Sequence, residues 1–205
     1  MKVKSLAAVA AVVLLFPLAA GATPLLSIVP STGSVGLGGS FTADVVISGL
    51  LGVPNQIVSA YSLDVLYNSA LLTQAGLATD QSAGKMGVSF FDTIGTAAGN
   101  AWGNDFSVSS DVALQGLQGA GFTLFRITFN AGTTNGAANL SFLFPFDPVV
   151  GLVGQDLVFN SAGACVAIGS GICGGAAAVP EPATLFLLGT GVAGLIARRR
   201  VRPRP

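Results

Sequence analysis

The chain has 205 residues, enough for one domain of ordinary size with appendages and a hydrophobic core. Hydrophobic residues make up 51% and charged residues only 9%, against about a quarter in a typical soluble domain, which argues against a cytosolic enzyme. Between residues 23 and 179, two basic residues oppose eight aspartates, a net charge of −6. A nucleic-acid-binding surface needs clustered Lys and Arg on the folded body, so no nucleic-acid partner is expected.

Residues 1–22 have the pattern of a signal peptide for export. Two lysines precede an apolar run over residues 6–20, and small residues follow at a candidate cleavage site after Ala22. The run is shorter than the roughly 20 residues that span a bilayer. We therefore predict a cleaved signal peptide and an exported chain that begins at Thr23. An uncleaved N-terminal anchor is the alternative.

The segment from residue 23 to 160 shows short β-rich runs separated by Gly, Asn, Ser and Pro, which predicts an all-β antiparallel sandwich. The clearest alternation, at 61–67, places apolar and aromatic residues on one face. One helix-like stretch, at 69–75, is predicted as a short connection. The predicted strands cover residues 25–29, 41–47, 61–67, 88–94, 106–114, 121–129, 139–146 and 152–159.

Catalytic residues are not assigned, because the chain contains no histidine. Histidine is the commonest general base near neutral pH and the commonest transition-metal ligand, so hydrolases of the usual triad type are excluded. A pair of aspartates acting on a glycosidic bond is the remaining enzymatic option. Eight solvated aspartates on an exported acidic surface are the simpler interpretation.

No cofactor is predicted, and a structural calcium ion is considered. Calcium takes oxygen ligands from carboxylates and loop carbonyls. The alternative is that aspartates in turns accept local hydrogen bonds. The residues considered for a structural calcium site are Asp92, Asp105, Asp147 and Asp156.

Trp102 is a candidate for ligand binding, in a Gly- and Asn-rich segment downstream of two adjacent phenylalanines. An aromatic ring on a sandwich loop can stack on a sugar, and Asn100, Asn104 and Asp105 would supply hydrogen bonds. The alternative is that Trp102 is a core residue, because Trp is highly buried on average.

Cys165 and Cys173 are the only cysteines and lie in a Gly- and Ala-rich stretch, residues 161–178, that is predicted as a linker. In an exported chain, two cysteines this close predict a disulfide that closes a small loop. A metal site would need two further ligands, and the chain has no histidine to supply them.

Residues 179–205 have the pattern of a short membrane anchor. An apolar run at 183–197 would cover about 22 Å as a helix, against a hydrocarbon core of about 30 Å. Arginines flank the cytoplasmic side of such helices, which places the body outside. The run is preceded by Val179, Pro180, Glu181 and Pro182 and followed by Arg198, Arg199 and Arg200.

This C-terminal combination of motif, apolar helix and arginine cluster resembles the PEP-CTERM sorting signal of Gram-negative bacteria that make exopolysaccharide. The resemblance implies that an exosortase recognises the Pro-Glu-Pro element and removes the tail. It also implies a transient intermediate tethered in the inner membrane, followed by release from or attachment to the cell surface.

The body is similar to cohesin-like domains over about 110 residues. These domains are jelly-roll sandwiches that bind dockerin partners in cellulosome scaffolds, and relatives serve as adhesion or carbohydrate-associated modules. The similarity implies the fold, and no binding residue is carried over from it. The matching segments are residues 34–50, 60–72, 121–131 and 138–142.

The sequence therefore predicts an exported, non-enzymatic protein of the cell surface or the exopolysaccharide matrix. Its expected partners are the exosortase, the membrane that holds the tail, and either exopolysaccharide or a protein. A cohesin-like protein-binding module and a carboxylate-dependent glycan-active enzyme are the two alternatives.

Overall fold

The structure, a computed structural model, describes residues 23–50, 56–78, 84–143, 149–151 and 154–174. The predicted signal peptide, sorting motif, apolar run and arginine tail lie outside these residues. Among the residues that are described, no helix is both long and apolar enough to cross a membrane.

Twelve strands and one helix make up the regular structure of the described residues. The strands are β1 (Leu25–Pro30), β2 (Ser34–Val35), β3 (Ser40–Ser48), β4 (Ala60–Tyr67), β5 (Leu72–Ala78), β6 (Ser89–Ala97), β7 (Asn100–Ser107), β8 (Gly121–Ala131), β9 (Gly136–Phe142), β10 (Val149–Val150), β11 (Asn160–Ala162) and β12 (Ala164–Ile168). The helix, α1 (Asp111–Gln118), lies between β7 and β8 in the chain.

The strands form two sheets that enclose one hydrophobic core. Sheet A has the order β11-β1-β3-β8-β5, and sheet B has the order β2-β12-β9-β4-β7-β6 with β10 also paired to β4. Neighbouring strands are antiparallel, except that β1 with β11 and β2 with β12 are parallel. This arrangement confirms the predicted all-β sandwich.

Alternation of apolar and polar side chains decides which face of each strand enters the core. In β3 the side chains of Phe41, Val45 and Ile47 are buried, and the residues between the buried positions are only partly buried. In β4 the residues Leu63 and Val65 are fully buried, as the alternation at 61–67 predicts. Burial of such side chains is the main stabilising contribution to the sandwich.

Phe125 of β8 lies at the centre of the contact between the two sheets. Its ring packs against Gly103 of β7, where a Cβ atom would come within 2.7 Å of the ring. Tyr61 stacks on the same ring with centroids 6.2 Å apart, and its hydroxyl donates a hydrogen bond to the Leu124 carbonyl at 3.1 Å. Gly103 is therefore required by a close approach between the sheets.

The predicted strand at 106–114 is wrong, because this segment is divided between a strand and a helix. β7 ends at Ser107, and α1 begins at Asp111. The Ser110 side chain caps the helix by accepting a hydrogen bond from the Ala113 N–H at 3.4 Å. Serine is a preferred N-cap residue, and this local signal overrides the β-rich composition of the segment.

Two further elements differ from the prediction. The stretch at 69–75, predicted as helical, contains a turn and the start of β5, which pairs with β8 in sheet A. Pairing along a whole strand overrides the weak helix preference of a short segment. The predicted strand at 152–159 is also wrong: its described residues form only a bridge between Val150 and Asp156.

The sandwich extends beyond residue 160. Strand β11 pairs with β1 in sheet A, and β12 pairs with β9 in sheet B. The compact unit continues to Cys173. Residues up to Cys173 therefore belong to the body and not to the linker predicted over 161–178.

Cys165 and Cys173 form the predicted disulfide, with Cα atoms 5.8 Å apart. The chain between them turns at Gly169, which has a φ of 58°. Gly171 then passes so close to β9 that a Cβ atom there would overlap the carbonyl oxygen of Gly136. The disulfide therefore closes a tight turn that lies against the edge of β9.

Gln118, the last residue of α1, connects the helix to two other segments. Only 1% of Gln118 is exposed. Its Oε1 accepts a hydrogen bond from the Val58 N–H at 2.7 Å, and its Nε2 donates to the carbonyls of Val58 at 2.6 Å and Lys85 at 3.2 Å. The side-chain amide thus pairs with both backbone groups of Val58, as a neighbouring strand would.

Candidate functional site

The outer face of sheet B, which points away from the core, carries the candidate site. In β7 the odd-numbered residues from 101 to 107 are buried, so Trp102, Asn104 and Phe106 lie on the opposite face. The register places Phe91 of β6 opposite Phe106, and Thr93 opposite Asn104. Paired residues in a sheet share a face. Strands β6 and β7 therefore present aromatic and polar side chains together.

Three phenylalanines form an exposed aromatic patch on these two strands, with 75% of Phe90, 46% of Phe91 and 42% of Phe106 accessible to solvent. The rings of Phe91 and Phe106 stack with centroids 6.1 Å apart and an interplanar angle of 14°. Phe90 meets both rings edge-on, at 6.1 and 6.4 Å. These are favourable geometries for aromatic pairs, so the three rings form a defined apolar surface.

A shallow pocket of ≈ 210 Å³ lies beside the stacked rings of Phe91 and Phe106. The rest of its wall consists of Ala60, Tyr61, Ser62, Asn104, Asp105 and Val150. Sites for drug-sized ligands are typically about 300 to 1,000 Å³. The pocket therefore has room for one or two amino-acid side chains or a comparable group.

Trp102 lies on the same face, in β7 and not in a loop, and it is partly buried. The indole lies across β6 at Gly95, where a Cβ atom would overlap the six-membered ring of the indole. The structure therefore agrees with neither alternative from the sequence: Trp102 is not a core residue and not a loop aromatic. Its ring covers the backbone of a neighbouring strand.

The structure brings together three of the four residues predicted to bind a ligand. Asn100, Trp102 and Asn104 share the outer face, whereas Asp105 lies on the buried face. The Nδ2 of Asn100 donates a hydrogen bond to Asp64 Oδ1 at 2.6 Å. The role of these residues in sugar binding stays a prediction, and part of their hydrogen-bonding capacity is used within the protein.

Asp105 has an unusual environment for a carboxylate, because only 2% of the residue is exposed. Burial raises the pKa of its carboxyl above the ordinary value, and the charge of Asp92 acts in the same direction. Hydrogen bonds from the Ser89 hydroxyl and the Phe106 N–H oppose this shift. The Oδ1 atom has no hydrogen-bond partner.

The four aspartates considered for calcium do not form one cluster in the described part of the chain. Asp92 and Asp105 are opposite each other in β6 and β7. Asp156 lies in the bridge to Val150, and Asp147 is outside the described residues. Among the described residues, no group of three or more His, Cys, Asp or Glu side chains is placed to hold a metal ion.

Comparison with solved structures defines the class of the body as a cohesin-like sandwich. A type II cohesin from the cellulosome of Acetivibrio cellulolyticus matches with a TM-score of 0.57 and 14% identity, covering 71% of this chain and 95% of that one. The sixth cohesin of scaffoldin B from the same organism, solved with a dockerin, matches at 0.55 and 16%, covering 72% and 99%. A non-cellulosomal cohesin from Archaeoglobus fulgidus matches at 0.52 and 13%, covering 73% and 93%.

The C-terminal segment of this chain matches a known sorting signal. Residues 178–200 match the PEP-CTERM protein-sorting motif, which confirms the resemblance found in the sequence. The motif indicates an exported protein that is held transiently in the membrane and sorted to the surface. No curated protein sequence matches the chain. The chain thus combines a cohesin-like body with a PEP-CTERM sorting motif.

The aromatic patch is the feature that sequence reasoning missed as a site. Phe90, Phe91 and Phe106 are visible in the sequence as neighbours of Trp102, but they appear there as ordinary core residues. Only the register of β6 and β7 shows that Phe91 and Phe106 meet on an outer face. In β7 the alternation of Phe106 with buried residues is hard to recognise from the sequence, because Gly103 and Asn104 resemble turn residues.

Proposed function

We propose that this protein is an exported, non-enzymatic protein of the cell surface or the exopolysaccharide matrix, whose sandwich binds a protein partner on the outer face of sheet B. The observation that carries this proposal is the aromatic patch of Phe90, Phe91 and Phe106 beside an apolar pocket. Exposed apolar surface of this kind typically marks a site of interaction.

The composition of the patch favours a protein over a sugar. Protein interfaces are enriched in aromatic anchors that fill pockets on the partner, and the shallow pocket beside Phe91 and Phe106 would accept such an anchor in return. Sugar binding would require free hydrogen-bonding groups around an accessible ring. The Trp102 ring is partly buried over Gly95, and the Asn100 amide already donates to Asp64.

The likeness to cohesins supports the same choice. Three of the matched cohesin structures were solved in complexes with dockerins. For this chain we propose only the class of partner, a protein that offers apolar side chains to the aromatic patch. The export motif would bring this face to a compartment where extracellular partners are available.

Replacing Phe106 with serine tests the proposal. The exported protein, purified and labelled, should bind to cells of the source strain from which the gene for this protein has been deleted. Phe106→Ser should weaken that binding by at least about tenfold, as loss of an interface anchor does. The fold should survive, because 42% of Phe106 is already exposed. Binding is measured by titrating the labelled protein onto cells.

Val158→Ser is the matched control, since Val158 is also apolar and 77% exposed. This variant should bind as the parent does. Protease treatment of the cells should abolish binding of the parent protein. Binding that survives protease but is lost after periodate oxidation of surface sugars would contradict a protein partner and favour a glycan.

A further inference from the structure

Two carboxylates face each other on the inner side of sheet B, away from the aromatic patch. Asp105 of β7 pairs directly with Asp92 of β6, so their side chains project from the same face. Directly opposite residues in antiparallel strands have Cβ atoms about 4.5 to 5.5 Å apart. Two like charges at this distance destabilise a sheet unless something compensates them.

Nothing in the described structure compensates Asp105 fully. Ser89 and the Phe106 N–H donate hydrogen bonds to the carboxylate, but Oδ1 is buried without a partner. A buried carboxylate oxygen without a hydrogen bond is costly and calls for an explanation. A core position that serves only for packing would more simply hold an apolar residue.

The two cations of the body are engaged elsewhere. Between residues 23 and 179 the sequence contains only Lys85 and Arg126 as basic residues. Lys85 Nζ donates a hydrogen bond to the Leu117 carbonyl at 2.6 Å. Arg126 forms a bidentate ion pair with Asp44 on sheet A. The pair of carboxylates on β6 and β7 therefore has no side-chain counter-ion in the described part of the chain.

We propose that Asp92 and Asp105, together with the Ser89 hydroxyl, bind a calcium ion at this edge of sheet B. The two carboxylates supply two negative charges, which match the charge of Ca²⁺. Calcium takes six to eight oxygen ligands, of which these side chains provide some and water provides the rest. Asp92 is exposed, so water and the ion have access from the edge strand β6.

An inward-pointing charge on an edge strand can also serve to prevent edge-to-edge association, and this would account for Asp92 alone. It does not account for Asp105, which lies on β7 between β4 and β6 and is almost fully buried. A bound cation accounts for both carboxylates and for the unpartnered Oδ1 at once. It is also independent of the protein partner proposed for the outer face.

Calorimetric titration with CaCl₂, after removal of metal by EDTA, tests the site in the purified exported protein. One Ca²⁺ should bind per chain, with a dissociation constant of about 10⁻⁴ to 10⁻³ M, the range of extracellular calcium modules. Asp92→Asn and Asp105→Asn should each weaken binding by at least about tenfold, because each removes a charged ligand. Asp92→Asn is informative even if the buried variant folds poorly, since Asp92 is exposed.

Asp64→Asn is the control, because Asp64 lies on β4 and is held by Asn100 on the outer face. It should bind calcium as the parent does. Absence of calcium binding to the parent protein would overturn the proposal and leave the raised pKa of the buried Asp105 carboxyl as the explanation. Equal calcium affinity in the parent and in Asp92→Asn would overturn it as well.

Discussion

Replacing Gln118 with leucine is expected to lower the free energy of unfolding by about 3 to 5 kcal/mol. The side-chain amide makes three hydrogen bonds in a buried position, two to Val58 and one to Lys85. Leucine has a similar size but no polar atoms, so it would leave these backbone groups buried and unpaired. Each such group costs about 1 to 3 kcal/mol.

Denaturant unfolding of the exported protein measures this loss, with Gln115→Leu as the matched control. Gln115 lies on the same helix and is exposed, so its replacement should change the free energy of unfolding by less than about 0.5 kcal/mol. A loss below about 1 kcal/mol for Gln118→Leu would mean that water replaces the amide and that α1 is not attached through this residue.

Replacing Glu181 with alanine is expected to stop sorting almost completely. Glu181 is the only glutamate in the chain and lies inside the matched PEP-CTERM motif. If the exosortase recognises this element, the variant should remain at the inner membrane with its tail attached. The parent protein should appear at the surface or in the medium without residues 1–22 and without the arginine tail.

Intact mass of the surface and membrane fractions distinguishes these forms. Thr184→Ala is the control, because Thr184 lies in the matched segment but outside the Pro-Glu-Pro element; this variant should be processed as the parent is. A surface form that still contains residues 198–205 would contradict removal of the tail. Normal processing of Glu181→Ala would contradict recognition through the glutamate.

Much of the sandwich could be predicted because alternation is a local property of the sequence. Strands β3, β4 and β8 appear as alternating or apolar runs, and the structure places them in the centre of their sheets. Strand β7 could not be predicted in the same way. Its glycine and asparagines suggest turns, but Gly103 is required because the Phe125 ring of the opposite sheet lies against it.

The candidate site depends even more on contacts that are distant in sequence. The sequence indicates Trp102 as the candidate ligand-binding residue, but its ring is partly buried over Gly95. The exposed rings of Phe91 and Phe106 are adjacent only because β6 and β7 pair in one particular register, with a bulge between Ser89 and Phe91. The sorting motif, in contrast, was predictable because a processing enzyme recognises it as a continuous segment.

Site-specific photo-crosslinking tests most directly whether the outer face of sheet B binds a protein. A photoreactive phenylalanine analogue at position 91 is compared with the same analogue at Thr73, an exposed position on β5 of sheet A. We expect a defined, protease-sensitive adduct on producing cells from position 91 and none from position 73. Identical adducts from both positions, or no protein adduct from position 91, would contradict a protein-binding site on this face.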